Sequence, residues 1–130
     1  MRRVGPIGIV AALVAAAIHA WFFVLESVQF MRPTVFGRFG LTNETDARIV
    51  RSFAYNQGFY NLFLTAGVVI GIAVAASGDA ASGRAVVLFA CGSMIAAGVV
   101  LLLPNRRFAR AAAIQVVPAL VAVLAILAGA

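Results

Sequence analysis

The stretch AVVLFACGSMIAAGVVLLL, residues 85–103, decides how this chain is read. It runs for nineteen positions without a charged side chain. As an α-helix it would be about 28 Å long, the thickness of the hydrocarbon layer of a bilayer. It is apolar on every side, so no face is left for water. It is bounded by a polar, Gly- and Ser-rich segment, SGDAASGR (77–84), and by Pro104-Asn105-Arg106-Arg107, which stops a helix and places charge at its end. We read it as a membrane span.

Working outward, the same pattern recurs three times. Apolar stretches over 5–30, 55–76 and 108–127 join 85–103 as four spans, and the charged residues fall between them. With 130 residues, 64% hydrophobic and 11% charged, and a mean hydropathy of +1.06, the chain lies far outside the range of soluble domains. The expected fold class is all-α, a four-transmembrane-helix bundle forming one domain over 1–130. The first stretch follows Arg2 and Arg3 as a signal peptide would. Its apolar run is too long for one, and no small-residue cleavage site precedes Met31-Arg32-Pro33. It is expected to be a retained helix, with Pro6 in its first turn, where the missing amide has no intrahelical partner.

Residues 31–54 form the one long connection. Gly37 and Gly40 mark irregular backbone, and Thr42 or Asn43 can cap a helix whose first turn holds Glu44 and Asp46. Ala47, Val50, Phe53, Ala54 and Gln57 then repeat at helical spacing. The second helix therefore begins at the interface and continues through Ala76. Gly67 and Gly71 give it a GxxxG, and Gly92, Ala96 and Ala97 give the third span a smooth side; such small-residue faces close a bundle or serve a homo-oligomer. Pro118 is expected to kink the fourth helix.

The net charge is +6, all ten basic residues are Arg, and the pI is near 11.4. A nucleic-acid surface would gather those charges on a soluble face; here they flank apolar spans and meet lipid, so no nucleic-acid partner is expected. Three arginines (Arg2, Arg3, Arg84) lie on one side of the membrane and seven (Arg32, Arg38, Arg48, Arg51, Arg106, Arg107, Arg110) on the other. The positive-inside bias puts loops one and three in the cytoplasm and both termini outside a bacterial cytoplasmic membrane. The lone Cys91 sits in an apolar run with no second Cys to pair with.

Polar residues inside spans are costly and mark candidate sites. His19 and Glu26 lie seven apart on the first helix, on one face and roughly 10 Å apart along its axis. On the second helix Asn56, Gln57, Tyr60, Asn61 and Thr65 cluster, with Gln57, Asn61 and Thr65 stacked at i, i+4 and i+8. Gln115 stands three residues before Pro118 on the fourth. Each is accounted for singly by interhelical hydrogen bonding or by an interfacial ion pair such as Glu26 with Arg32 or Arg51. Together they outline an intramembrane pocket walled by His19, Glu26, Gln57, Asn61 and Gln115. One His and one Glu fall short of a metal site, so neither metal nor cofactor is expected.

At these residues the chain resembles the small four-span bacterial membrane proteins of domain-of-unknown-function family DUF1304. The resemblance rests on His19 followed at seven by Glu26, Phe36-Gly37, the run Asn56-Gln57-Gly58-Phe59-Tyr60-Asn61, and Gln115 with Pro118-Ala119. It implies a four-helix bundle whose motif positions belong together, and no activity. From the residues, the expected function is binding of a lipophilic small molecule, with His19 and Glu26 as the acid/base pair of an isomerase- or cyclase-like step. The alternatives are a small proton-coupled transporter centred on Glu26 and a structural or accessory membrane subunit.

Overall fold

The computed structural model describes residues 4–130, so Arg2 and Arg3, which enter the charge count above, lie outside the described residues. All regular structure among the described residues is helical. Helix α1 (Pro6–Phe23) starts on its proline and passes directly into a π-helical turn, Val24–Val28. A short α2 (Pro33–Phe36) and a 3-10 turn (Gly37–Phe39) lead to α3 (Glu44–Ala76), then α4 (Ala80–Leu102), a 3-10 turn (Arg106–Phe108) and α5 (Ala109–Ala128). Four of these segments, Pro6–Val28, Glu44–Ala76, Ala80–Leu102 and Arg106–Ala128, are long and apolar enough to cross a membrane. The chain is a multi-pass helical membrane protein.

The helix starts are set by local chemistry. Asn43 caps α3: its Oδ1 accepts from the Asp46 amide at 2.9 Å, and its Nδ2 donates to the Asp46 carboxylate at 2.7 Å. Asp79 caps α4 by accepting from the Ser82 amide at 3.0 Å. The third span therefore begins at Ala80, within the segment expected to be a polar turn up to Arg84. Only Ser77 to Asp79 connects the helices, because Gly78 turns the chain with φ +115° and Asp79 restarts it at once. Pro118 lies within the continuous α5.

The described chain packs as two compact units, residues 4–18 with 64–130, and residues 19–63. In the first, portions of α1 and α3 pack with α4 and α5 around an unusually small-sided core. Ala11, Ala12, Ala15, Ala16, Ala90, Cys91, Ala119 and Ala122 are buried, together with Val68, Val87, Met94 and Ile126. The large side chains point outward, Phe89 at 77% exposure and Val100 at 62% among them. Lipid tails solvate those side chains as well as a protein core would, so association rests on close backbone approach between small residues.

The backbones of α3 and α4 approach closely. A Cβ on Gly83 would lie 2.3 Å from the Ala75 nitrogen, and one on Gly71 would lie 2.7 Å from Val87 Cγ2. Gly67 faces Ala90 at 3.4 Å, so the GxxxG face packs within the chain. The expected smooth side of α4 does not: Gly92 meets open space, and Ala96 and Ala97 are exposed. The buried seam of α4 is instead Gly83, Val87, Ala90, Cys91, Met94 and Gly98, a 4-3-1-3-4 spacing that follows the helical period.

The second unit has its own small core of Phe30, Phe36 and Ala47, lined by Met31, Leu41, Val50 and Ala54. It folds the first connection back onto the opening turns of α3, with the Phe30 and Phe39 rings 5.5 Å apart.

Candidate functional site

The site is built where the π turn of α1 meets α3. The turn is defined by the Gln29 amide, which reaches back five residues to the Val24 carbonyl at 2.9 Å. Such turns change the register of a helix and recur at functional sites. Here the turn presents Glu26 and Ser27 to α3, and the sequence of α3 is shaped to receive them. Ser27 Oγ donates to the Tyr55 carbonyl at 2.8 Å. Opposite it stands Gly58, buried, where a Cβ would fall 2.1 Å from Ser27 Oγ and 3.1 Å from both the Glu26 and Ser27 Cβ atoms. A glycine in a helix interior is unfavourable by about 1 kcal/mol relative to alanine, so its presence here answers a steric need. That need is the close passage of α1.

One turn further along α3, Asn61 Nδ2 donates to Glu26 Oε2 at 2.8 Å, tying the half-buried carboxylate to the second helix. Beside this pair the fold leaves a cleft of about 100 Å³, lined by Glu26, Ser27, Val28, Phe30, Met31, Arg51 and Tyr55. One wall thus carries a carboxylate and a hydroxyl, and the other a guanidinium and a phenol. Aromatic packing holds the frame: Phe23 and Phe59 meet edge to face at 5.1 Å, and Phe59 stacks toward Tyr55 at 4.9 Å.

The structure distributes the sequence-predicted residues unevenly. Glu26 and Asn61 are brought into direct contact. His19 is fully buried one and a half turns before the π turn begins, with its ring edge-on to Phe22 at 5.4 Å. Asn56, Gln57 and Tyr60 are exposed. Thr65, the last member of the expected polar stripe, donates to the Ala16 carbonyl at 2.9 Å within the first unit. Gln115, also in the first unit, is buried and donates to the Met94 carbonyl at 3.1 Å, where it joins α5 to α4. The cleft at Glu26 is therefore walled by Ser27, Arg51 and Tyr55, and His19, Gln57 and Gln115 are not among its lining residues.

Sequence reasoning missed Ser27, Gly58, Arg51 and Tyr55 as parts of the site. For Gly58 a signal existed, a lone glycine in the middle of a long segment expected to be helical. For Arg51 the sequence offered only the reading of an interfacial partner to Glu26, and the structure places the two on one cleft. Ser27 and Tyr55 carried no signal.

Comparison with known proteins yields one match. The family model described as a protein of unknown function, DUF1304, matches residues 13–127, a range that includes His19, Glu26, the whole Asn56–Asn61 run and Gln115. No curated protein and no solved structure matches the chain.

Proposed function

The chain belongs to the DUF1304 family, whose function is unknown, and from its own site we propose that it binds a lipophilic small molecule by the polar head. The observation that carries this reading is the Glu26–Asn61 hydrogen bond at the mouth of a polar cleft near the end of a membrane span. A carboxylate held there by a single amide keeps acceptor capacity for a ligand, and Ser27, Arg51 and Tyr55 add donors around the same space.

The size of the cleft narrows the reading. About 100 Å³ is well below the roughly 300–1,000 Å³ of sites that enclose a whole drug-sized ligand. It holds a head group, and the lipophilic remainder extends into lipid past Val28, which is 67% exposed. Within this reading Glu26 is the group that exchanges a proton with the ligand. His19, the second titratable group on this segment, is fully buried and does not line the cleft, so an isomerase- or cyclase-like step at this cleft would rest on Glu26. A proton-coupled carrier calls for a carboxylate deep in the span, whereas Glu26 lies two residues from the end of the Pro6–Val28 segment. We place the protein in a bacterial cytoplasmic membrane with loops one and three inside, on the strength of the seven-to-three arginine bias.

The test is native mass spectrometry of the gently solubilised protein. A defined co-purified mass should be present on the wild type, lost on Glu26→Gln and Asn61→Leu, and reduced on Arg51→Gln. If wild type and variants all carry only bulk phospholipid, the binding reading fails and the accessory-subunit reading takes its place.

A further inference from the structure

The opening turns of α3 present three faces. Ala47, Val50 and Ala54 turn into the apolar core of their unit. Ile49 and Phe53 stand out at 68% and 73% exposure. Between these faces Arg48, Arg51, Ser52 and Tyr55, spaced i, i+3, i+4 and i+7, line an open groove of about 410 Å³. All four side chains are exposed.

We propose that this groove binds the phosphate of an anionic phospholipid. The two guanidinium groups offer planar, charged donor forks that suit phosphate oxygens, and the Ser52 hydroxyl adds a third donor to the same groove. Glu44 bonds Arg48 from one turn earlier, which orients that guanidinium while leaving most of its five N–H donors for a ligand. Tyr55 sits at the end of the groove, as an amphipathic ring does at the head-group level. The lipid source, as against free phosphate, follows from the neighbouring face: Ile49 and Phe53 give the acyl chains an exposed apolar track beside the charges. The groove also lies in the first loop region, on the arginine-rich side assigned to the cytoplasm, whose leaflet carries the anionic lipids.

This site takes a different ligand from the Glu26 cleft, although Arg51 and Tyr55 line both. The test titrates the full solubilised chain with an equimolar mixture of phosphatidylglycerol and phosphatidylcholine of matched acyl chains and counts lipid adducts by native mass spectrometry. Phosphatidylglycerol should dominate on the wild type. Arg48→Gln and Arg51→Gln should each lower that preference about fivefold, the equivalent of about 1 kcal/mol per basic residue at an anionic surface, and the double variant should bring it near parity. Arg51→Lys should keep the charge and lose the fork, giving a preference between those of wild type and Arg51→Gln, and the third-loop pair Arg106→Gln with Arg107→Gln should change it by less than about twofold, because those charges are outside the groove. Glu26→Gln should leave the lipid preference intact even where it removes a small-molecule adduct, which separates the two readings. The proposal is overturned if the groove double variant keeps the wild-type preference, or if the third-loop pair loses as much. It is equally overturned if millimolar inorganic phosphate displaces the lipid, since the groove would then be a free-anion site.

Discussion

Replacing Gly58 by alanine tests the architecture of the site at its tightest point. The new Cβ would overlap Ser27 Oγ at 2.1 Å and press on the Glu26 and Ser27 Cβ atoms at 3.1 Å. Rotating the Ser27 side chain relieves the first contact at the loss of its hydrogen bond to the Tyr55 carbonyl, about 1 kcal/mol. The Cβ contacts cannot rotate away, so α1 must shift on α3, an overpacking effect of about 1–3 kcal/mol. Alanine's better helix propensity returns about 1 kcal/mol. The net expectation is a destabilisation of about 2 kcal/mol, with displacement of Glu26 from Asn61 and loss of the co-purified ligand. A double-mutant cycle makes the cause visible. Ser27→Ala alone forfeits the hydrogen bond, about 1 kcal/mol, but in the Gly58→Ala background it also removes the overlapping oxygen. The double variant should therefore be more stable than the sum of the singles by about 1 kcal/mol or more. Reversible unfolding in mixed micelles, followed by circular dichroism, measures all four corners. Strict additivity, or a Gly58→Ala variant more stable than wild type, would refute the close-passage argument.

Gly83→Ala places its Cβ against the Ala75 backbone, where no rotamer can yield, and should destabilise by about 3 kcal/mol or more, whereas Gly92→Ala, facing open space, should be neutral or stabilising by up to about 1 kcal/mol in the same unfolding assay. The Ser82 side-chain hydroxyl, and after it the Ser82 amide, holds the Asp79 carboxyl below its ordinary value of 3.8. A lowered folded-state pKa means the contribution of Asp79 is present above that value and is lost as pH falls through the folded one. The stability gap between wild type and Asp79→Ala should thus be constant near neutrality and shrink below about pH 4; a gap that grows on acidification contradicts the cap. For topology, single cysteines introduced in a Cys91→Ala background should react with an impermeant thiol reagent on intact cells at Ser82→Cys and not at Arg38→Cys, and the reverse pattern would invert the assigned orientation.

The residues that escaped the sequence reading share a physical cause. The stripe Gln57, Asn61, Thr65 looks like one face because residues four apart are neighbours. Each step of four nevertheless turns the face by about 40°, so a stripe of three spreads across about 80° of the helix. Asn61 and Thr65 fall on the packed side and make hydrogen bonds there, while Gln57 is carried out to the exposed side. The third span illustrates the opposite error. The composition of SGDAASGR reads as a turn, yet it contains an N-cap, Asp79, whose bond to the Ser82 amide outweighs the weak helix propensity of the Gly and Ser around it.

The number of spans, their apolar character and the side on which charge accumulates belong to the sequence alone. They depend on transfer of each segment from water to lipid, a property additive over residues and indifferent to neighbours. Which small residues close the bundle, that α1 breaks into a π turn, and that Glu26 meets Asn61 beside Ser27, Arg51 and Tyr55 were decided by tertiary structure. Those outcomes depend on the rotation and register of one helix against another, and they are fixed by contacts between residues of different helices, such as Glu26 with Asn61.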